Sequence, residues 1–257
     1  MISILALVLV ASGGVSTGSS PTGEPSVPKV AVGDAAVDGS FLKPYQNVWK
    51  IVYAFQGQQP LLVGTWSDQL TETKQDGRRL LERKQVANFA KYHITTTNTN
   101  VFVPETMTPI SDEFTRSDTG EWVHREFRGK SIKFQRAKST GEAGRETNEL
   151  NTDVPVFDYS GGMYAVLLAA FPLREGYTAT IPTLSEGEDV FEWLTFTVGK
   201  EDTVEAGPGK SVRAWPVTVD NSRMDHSTFW VSKEAPYVIK LVNIPAGKGL
   251  TVTLTIM

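Results

Sequence analysis

Three histidines, His93, His124 and His226, are the only imidazoles in the chain, and none lies at the spacing of an H-E-x-x-H or comparable ligand set. No metal site is assigned. Asp225-His226-Ser227 contains the residue types of a hydrolase triad, but neighbours on a strand point to opposite faces, so the flanking side chains do not converge on the imidazole. The tripeptide reads as a turn leading into a strand. Gly14-Val15-Ser16-Thr17-Gly18 spells the G-x-S-x-G of a nucleophile elbow; that motif works only on a strand-to-helix turn, and here it sits in a Gly/Ser/Thr tract. Glu186-Gly187-Glu188-Asp189 is acidic but lacks the regular oxygen spacing of a calcium loop and reads as solvated. Without any cysteine there is no thiol nucleophile, thiolate metal site or disulfide framework. No catalytic residue and no cofactor is assigned. The weight falls on a non-enzymatic protein, with a hydrolase of dispersed site the least favoured reading.

What remains is recognition by shape. Six tryptophans, Trp49, Trp66, Trp122, Trp193, Trp215 and Trp230, fall one to a strand along the chain. Aromatics fill cores, and they also line the cavities of barrels large enough to hold one ligand. The candidate cavity-lining set is Trp49, Tyr53, Trp193, Trp215 and Trp230, with Met163 and Leu167 from the one helix. Between positions 125 and 138 six basic residues, Arg125, Arg128, Lys130, Lys133, Arg136 and Lys138, meet a single acid, Glu126. They read as a solvated outer face or protected edge; the other reading is contact with an anion or a lipid headgroup.

The elements that must position these residues are mostly strands. Asn47 to Phe55 alternates Trp49, Ile51, Tyr53 and Phe55 on one face, while Val48, Val52 and Ala54 make the other apolar too. That predicts a strand buried on both sides. Strands are expected at 61–70 and 89–97, whereas Arg78 to Val86 fits either a charged strand or a short helix. Turn signals at Gln75-Asp76-Gly77, Ser117 to Gly120 and Arg128-Gly129-Lys130 set off a meander of short strands up to Ala137, with Gly141 to Asp153 as polar connector. One helix is expected. Tyr164 to Phe171 is apolar all round, with Asp158 or Ser160 as N-cap and Pro172 closing it. Strands then return at 177–181, 190–198, 202–205, 212–219, 227–232, 237–244 and 250–257, the last putting Leu250, Val252, Leu254 and Ile256 inward. The fold class is mainly β: a large curved antiparallel sheet closing toward a barrel, with one buried helix on its concave side.

A chain of 257 residues, 40% hydrophobic and 21% charged, suffices for one sizeable β domain. Its net charge of −4 offers no general attraction to nucleic acid. Met1 to Ala11 is an unbroken apolar run followed by small residues, the pattern of a secretory signal, and at about 11 residues it falls short of the roughly 20 that span a bilayer. The expected division is a signal peptide at 1–13, a flexible Gly/Ser/Pro-rich tether at 14–36 and a single β-rich domain at 37–257. Localisation is then periplasmic or extracellular, with no membrane span after signal removal.

From Val156 onward the order of features resembles a family of exported bacterial domains of unknown function. The features are Val156-Phe157-Asp158 before the apolar helix, Phe171-Pro172-Leu173 with Gly176, and the Glu201 to Gly209 turn. Val212-Arg213-Ala214-Trp215-Pro216-Val217, Thr228-Phe229-Trp230-Val231, Pro236 and Val238-Ile239 follow. The resemblance implies a curved antiparallel sheet around a helix, similar to periplasmic lipoprotein carriers and other lipid-binding half-barrels, and it transfers no active-site residue. The expected function is binding of a hydrophobic or amphipathic small molecule or lipid in the concavity of the sheet. The alternative is a structural module with a solid core that contacts another envelope protein.

Overall fold

The structure is a computed structural model that describes residues 27–137, 146–159, 163–184, 190–220, 226–245 and 248–257. Residues 1–26, Lys138, Ser160, the Glu186 to Asp189 loop and Asp225 lie outside the described residues. The strands are β1 (Tyr45–Phe55), β2 (Leu61–Gln75), β3 (Arg78–Phe89), β4 (Ile94–Val103), β5 (Thr108–Arg116), β6 (Glu121–Arg128), β7 (Ser131–Ala137) and β8 (Glu146–Asn151). After helix α1 (Met163–Ala169) come β9 (Thr178–Leu184), β10 (Phe191–Val198), β11 (Asp202–Glu205), β12 (Ser211–Asp220), β13 (His226–Val231), β14 (Val238–Ile244) and β15 (Leu250–Ile256). They form one antiparallel sheet in the order β8-β7-β6-β5-β4-β3-β2-β1-β15-β14-β13-β12-β10-β9, with β11 on β12.

Local chemistry explains most of these elements. Asp76 and Gly77 both take positive φ and form the two-residue turn between Gln75 and Arg78, the geometry that matches strand twist. Arg78 to Phe89 is therefore strand, since this turn pairs it along its length with β2. The expected 89–97 strand is broken instead by a short 3-10 turn, Ala90–Tyr92, that separates β3 from β4. Within the expected polar connector, Glu146–Asn151 pairs with β7 and is an edge strand; its side chains are almost all exposed, which is why composition hides it. The sheet's outer surface is also more open than expected, because Val48 and Lys50 of β1 are exposed while Trp49 and Ile51 are buried.

The ladder of hydrogen bonds does not close, since β8 and β9 end the strand order. Side chains bridge the two ends. Ile132 and Phe134 of β7, Val156, and Leu184 of β9 form one buried cluster, with Leu150 of β8 and Phe191 of β10 packed against it. The segment before α1 runs along the seam, Phe157 bridging Thr183 in parallel. The N-terminal segment pairs with the same free edge of β9. Val30 N–H donates to the Thr180 carbonyl, and Thr180 N–H to the Pro28 carbonyl, each at 2.9 Å. The tether expected through residue 36 thus gives way to structure by Pro28, and Val30 is buried.

Helix α1 fills the concave side. Its described side chains and the following Ala170 and Phe171 are all buried in the principal core, and it lies against β13 and β14. Lys233 donates from Nζ to the carbonyls of Ala169 (2.6 Å) and Phe171 (2.9 Å), closing the helix C-terminus with a cation where the backbone dipole favours one. Asp158 is not the N-cap: it is buried five residues before the helix and accepts a hydrogen bond from Asn100.

Burial raises the phenol pKa of Tyr45 far above its ordinary value, and burial with the neighbouring Tyr92 raises that of Tyr53. A raised folded-state value means that stability is complete below the unfolded value of 10.0 and is lost as pH rises beyond it. Tyr45 alone is expected to cost about 1.4 kcal/mol per pH unit above 10. Alkaline unfolding followed by circular dichroism together with phenolate absorbance checks this: absorbance that rises well before the fold is lost would contradict it.

Candidate functional site

The inner face of the sheet divides into two sectors. Strands β1, β15, β14, β13, β12, β10 and β9, with α1, present apolar side chains: Trp49, Ile51, Leu254, Leu241, Phe229, Val217, Phe196 and Ile181 belong to one buried cluster. Strands β2 to β6 interrupt the apolar phase with polar residues. On β3 the inward phase runs Leu81, Arg83, Gln85, Ala87, Phe89, and on β6 Val123 and Arg125 are buried, with Phe127 half-buried in the same phase. Pairing sets Leu70, Arg83, Asn100, Asp112, Arg125 and Phe134 in one cross-strand row, polar in the middle and apolar at both ends.

These polar groups are among the least exposed in the protein, and they meet one another. Arg83 donates from Nε to Asp68 Oδ1 at 2.9 Å and from Nη2 to Oδ2 at 2.7 Å, and the Tyr45 hydroxyl donates to Oδ2 at 3.0 Å. Arg125 Nη1 reaches both oxygens of Asp112 at 2.9 and 3.1 Å, and its guanidinium lies 6.0 Å from the Phe134 ring. Asn100 Nδ2 donates to Asp158 Oδ2 at 2.7 Å, so the segment leading to α1 is tied into the belt. The expected basic outer face is thus split by the strand period. Arg125 points in and is paired, while Arg128 is exposed and pairs with Glu126.

At the border between the sectors stands Asn47. It pairs across the strands with Asp68 and sits two residues from Trp49 on the same face. Among the described residues neither its Nδ2 nor its Oδ1, both buried, has a hydrogen-bond partner. An amide left so costs about 1–3 kcal/mol.

The end of the sheet formed by the β1–β2 and β14–β15 hairpins is apolar and open. Phe55 (40%), Leu61 (42%), Leu62 (61%) and Ile244 (50%) are exposed there, and no charged residue occurs between Ile51 and Ser67. Phe55 pairs with Leu250 and Leu61 with Tyr53, which carries the apolar inner face out to this rim. Lys233 and the C-terminal end of α1 lie at the opposite end, beside the turn between β13 and β14.

Of the seven aromatic and aliphatic candidates, five converge. Trp49, Met163 and Leu167 are buried in the principal cluster, with Tyr53 and Trp215 packed against it. Trp193 and Trp230 face the other way, because Leu194, Phe229 and Val231 take the inward phase beside them. Trp230 joins a second cluster with Val204, Ala214 and Ile239 and lies under Lys240, whose Nζ is 4.6 Å from the ring; Lys29 Nζ is 4.4 Å from Trp193. Ser227 accepts from Asn243 Nδ2 at 2.8 Å, and His226 beside it is exposed. Among the described residues no cluster of three or more His, Asp or Glu is placed to hold a metal ion.

A family model described as "Protein of unknown function (DUF3108)" matches residues 50–255. The chain belongs to the DUF3108 family. No curated protein matches this DUF3108 chain in sequence. A crystal structure of a β-barrel-like protein of the domain of unknown function DUF1849, from Brucella abortus, is similar to it. The TM-score is 0.51 at 11% identity, with 83% of the DUF3108 chain and 95% of that chain covered. The likeness extends to the fold, a curved β-barrel-like sheet.

Proposed function

We propose that this DUF3108 domain is a non-enzymatic protein of the cell envelope that binds an amphipathic molecule along the inner face of its sheet. The observation that carries the reading is the division of that face into a continuous apolar sector and a buried polar belt, meeting along β1 and β2. An amphipath needs both surfaces side by side. The apolar rim at Phe55, Leu61 and Leu250 is the end at which such a molecule enters, with α1 as the floor at the other end. The apolar leader of the sequence and the resemblance to envelope half-barrels support export.

The test uses purified protein, displacement of a fluorescent fatty acid, and native mass spectrometry for retained lipid. Saturable binding is expected, and Leu61→Asp, at the exposed rim, is expected to weaken it about ten-fold with far-UV circular dichroism unchanged. Neither displacement nor retained lipid would sink the proposal. The burial of every described side chain of α1 favours the second reading, a solid-core interaction module. That module predicts no ligand and a partner protein recovered on the outer strands.

A further inference from the structure

Asn47 is anomalous by the standard of the belt beside it. Asp68, Arg83, Asp112 and Arg125 all find hydrogen-bonded partners, whereas both polar atoms of the Asn47 amide are buried without one among the described residues. Buried polar groups are nearly always satisfied, and an exception calls for a cause. Thr255 Oγ1 and His124 Nδ1 are lesser cases, one atom each; at Asn47 donor and acceptor are left over together. Its place is also distinctive. Asn47 is the cross-strand partner of Asp68, it precedes Trp49 in the inward phase of β1, and the strand leads from it to the apolar rim at Phe55. The eight residue-to-residue steps from Asn47 to Phe55 span about 26 Å, a run of apolar inner face long enough to lie beside an extended acyl chain.

We infer that Asn47 is the headgroup contact of the amphipath-binding site, and that the headgroup it takes is uncharged and both donates and accepts hydrogen bonds, as a hydroxyl or a primary amide does. This rests on the binding reading above. The amide presents two donors and one acceptor, so a group that only accepts leaves half of it unmet. The neighbouring Asp68 carboxylate already has Arg83 and Tyr45 as partners and has no need of a cationic headgroup. A free carboxylate on the ligand would come close to Asp68, so a fatty acid is expected to bind, but more weakly than a neutral lipid of the same chain. The ligand class is therefore a neutral acyl lipid with a hydroxyl or amide head, of which a monoacylglycerol is the simplest probe.

A functional amide kept unsatisfied in the free protein leaves a mark that a structural amide does not. Replacing it with an apolar residue of the same shape stabilises the unliganded fold and damages binding. The experiment compares wild type, Asn47→Leu and, as a second shape, Asn47→Val by thermal unfolding without ligand. The same proteins are titrated with 1-monoacylglycerol and with the methyl ester of the same chain, which only accepts. The expected result is a melting temperature equal to or above wild type in at least one variant, about ten-fold weaker monoacylglycerol binding in both, and methyl ester binding unchanged within about three-fold. A lower melting temperature in both variants, or monoacylglycerol binding as tight as in wild type, overturns the inference. Wild-type binding that does not distinguish the two heads also overturns it and leaves the binding reading intact. Failure of wild type to bind either probe or the fluorescent fatty acid overturns both.

Discussion

Arg83→Met is expected to cost about 3–5 kcal/mol, the largest loss from any single side chain of the polar belt. Asp68 has no exposed surface and Arg83 is 2% exposed, and the guanidinium meets both carboxylate oxygens. Removing it strands a carboxylate in the interior that, among the described residues, keeps the Tyr45 hydroxyl as its hydrogen-bond donor. Against a total stability of about 5–15 kcal/mol for an ordinary domain, that is a large fraction of the margin. The reverse change, Asp68→Leu, is expected to cost a similar amount by removing the carboxylate that meets two nitrogens of the guanidinium. The two together are expected to recover most of it, because replacing both members of a buried pair with apolar residues is often neutral. Urea unfolding of the four proteins at pH 7 gives the coupling as a double-mutant cycle. A loss below about 1 kcal/mol for Arg83→Met, the size of an exposed pair, would mean that water reaches the belt and that the inner face is wet at this point.

The belt also marks where the sequence stops being readable. Alternation placed the apolar sector well: Leu254 faces Ile51 and Val252 faces Tyr53, as the pattern of the last strand requires. The apolar octet was legible as an enclosed helix because it has no polar side, although it begins at Met163. Arg125, by contrast, stands in a basic run, where its neighbours in sequence argue for solvent. A signal was present, since Val123, Arg125 and Phe127 share one phase, as do Leu81, Arg83, Gln85 and Ala87. Reading it requires trusting the period over the charge. The partners were beyond reach on any reading, because Asn100 and Asp158 lie 58 positions apart. Nothing local to either announces the other. Composition conceals the edge strand β8 and the Pro28 to Val30 strap as well: their polar or loop-like residues hide backbone pairing, with the adjacent β7 in one case and with the distant β9 in the other. Trp193 and Trp230 erred by one position of register, which is enough to turn a strand residue to the other face.

Phe171→Ala carries the second large expectation, about 3–5 kcal/mol, and it tests how a sheet with two free ends stays curved. Phe171 has no exposed surface and stacks edge-on with Phe157 at 6.0 Å and Phe196 at 4.9 Å. Those rings come from the seam segment, the end of the helix and the β10 strand. Truncation therefore removes core volume and also uncouples the bridge that holds β9 beside β7 and β8. The two effects separate in hydrogen exchange, which reports local opening as well as global stability. If α1 and its flanks pin the seam, amides of β9, β7 and β8 exchange faster than the global loss accounts for, while β1, β2 and β15 follow global unfolding. Uniform acceleration across all strands would reduce Phe171 to a core filler and leave the curvature to strand twist alone. The exposed Leu62→Ala serves as the control, with an expected change within about 0.5 kcal/mol. Seam-selective exchange would bear directly on access to the interior, because the line that no strand-to-strand ladder closes is then also the line along which the sheet opens.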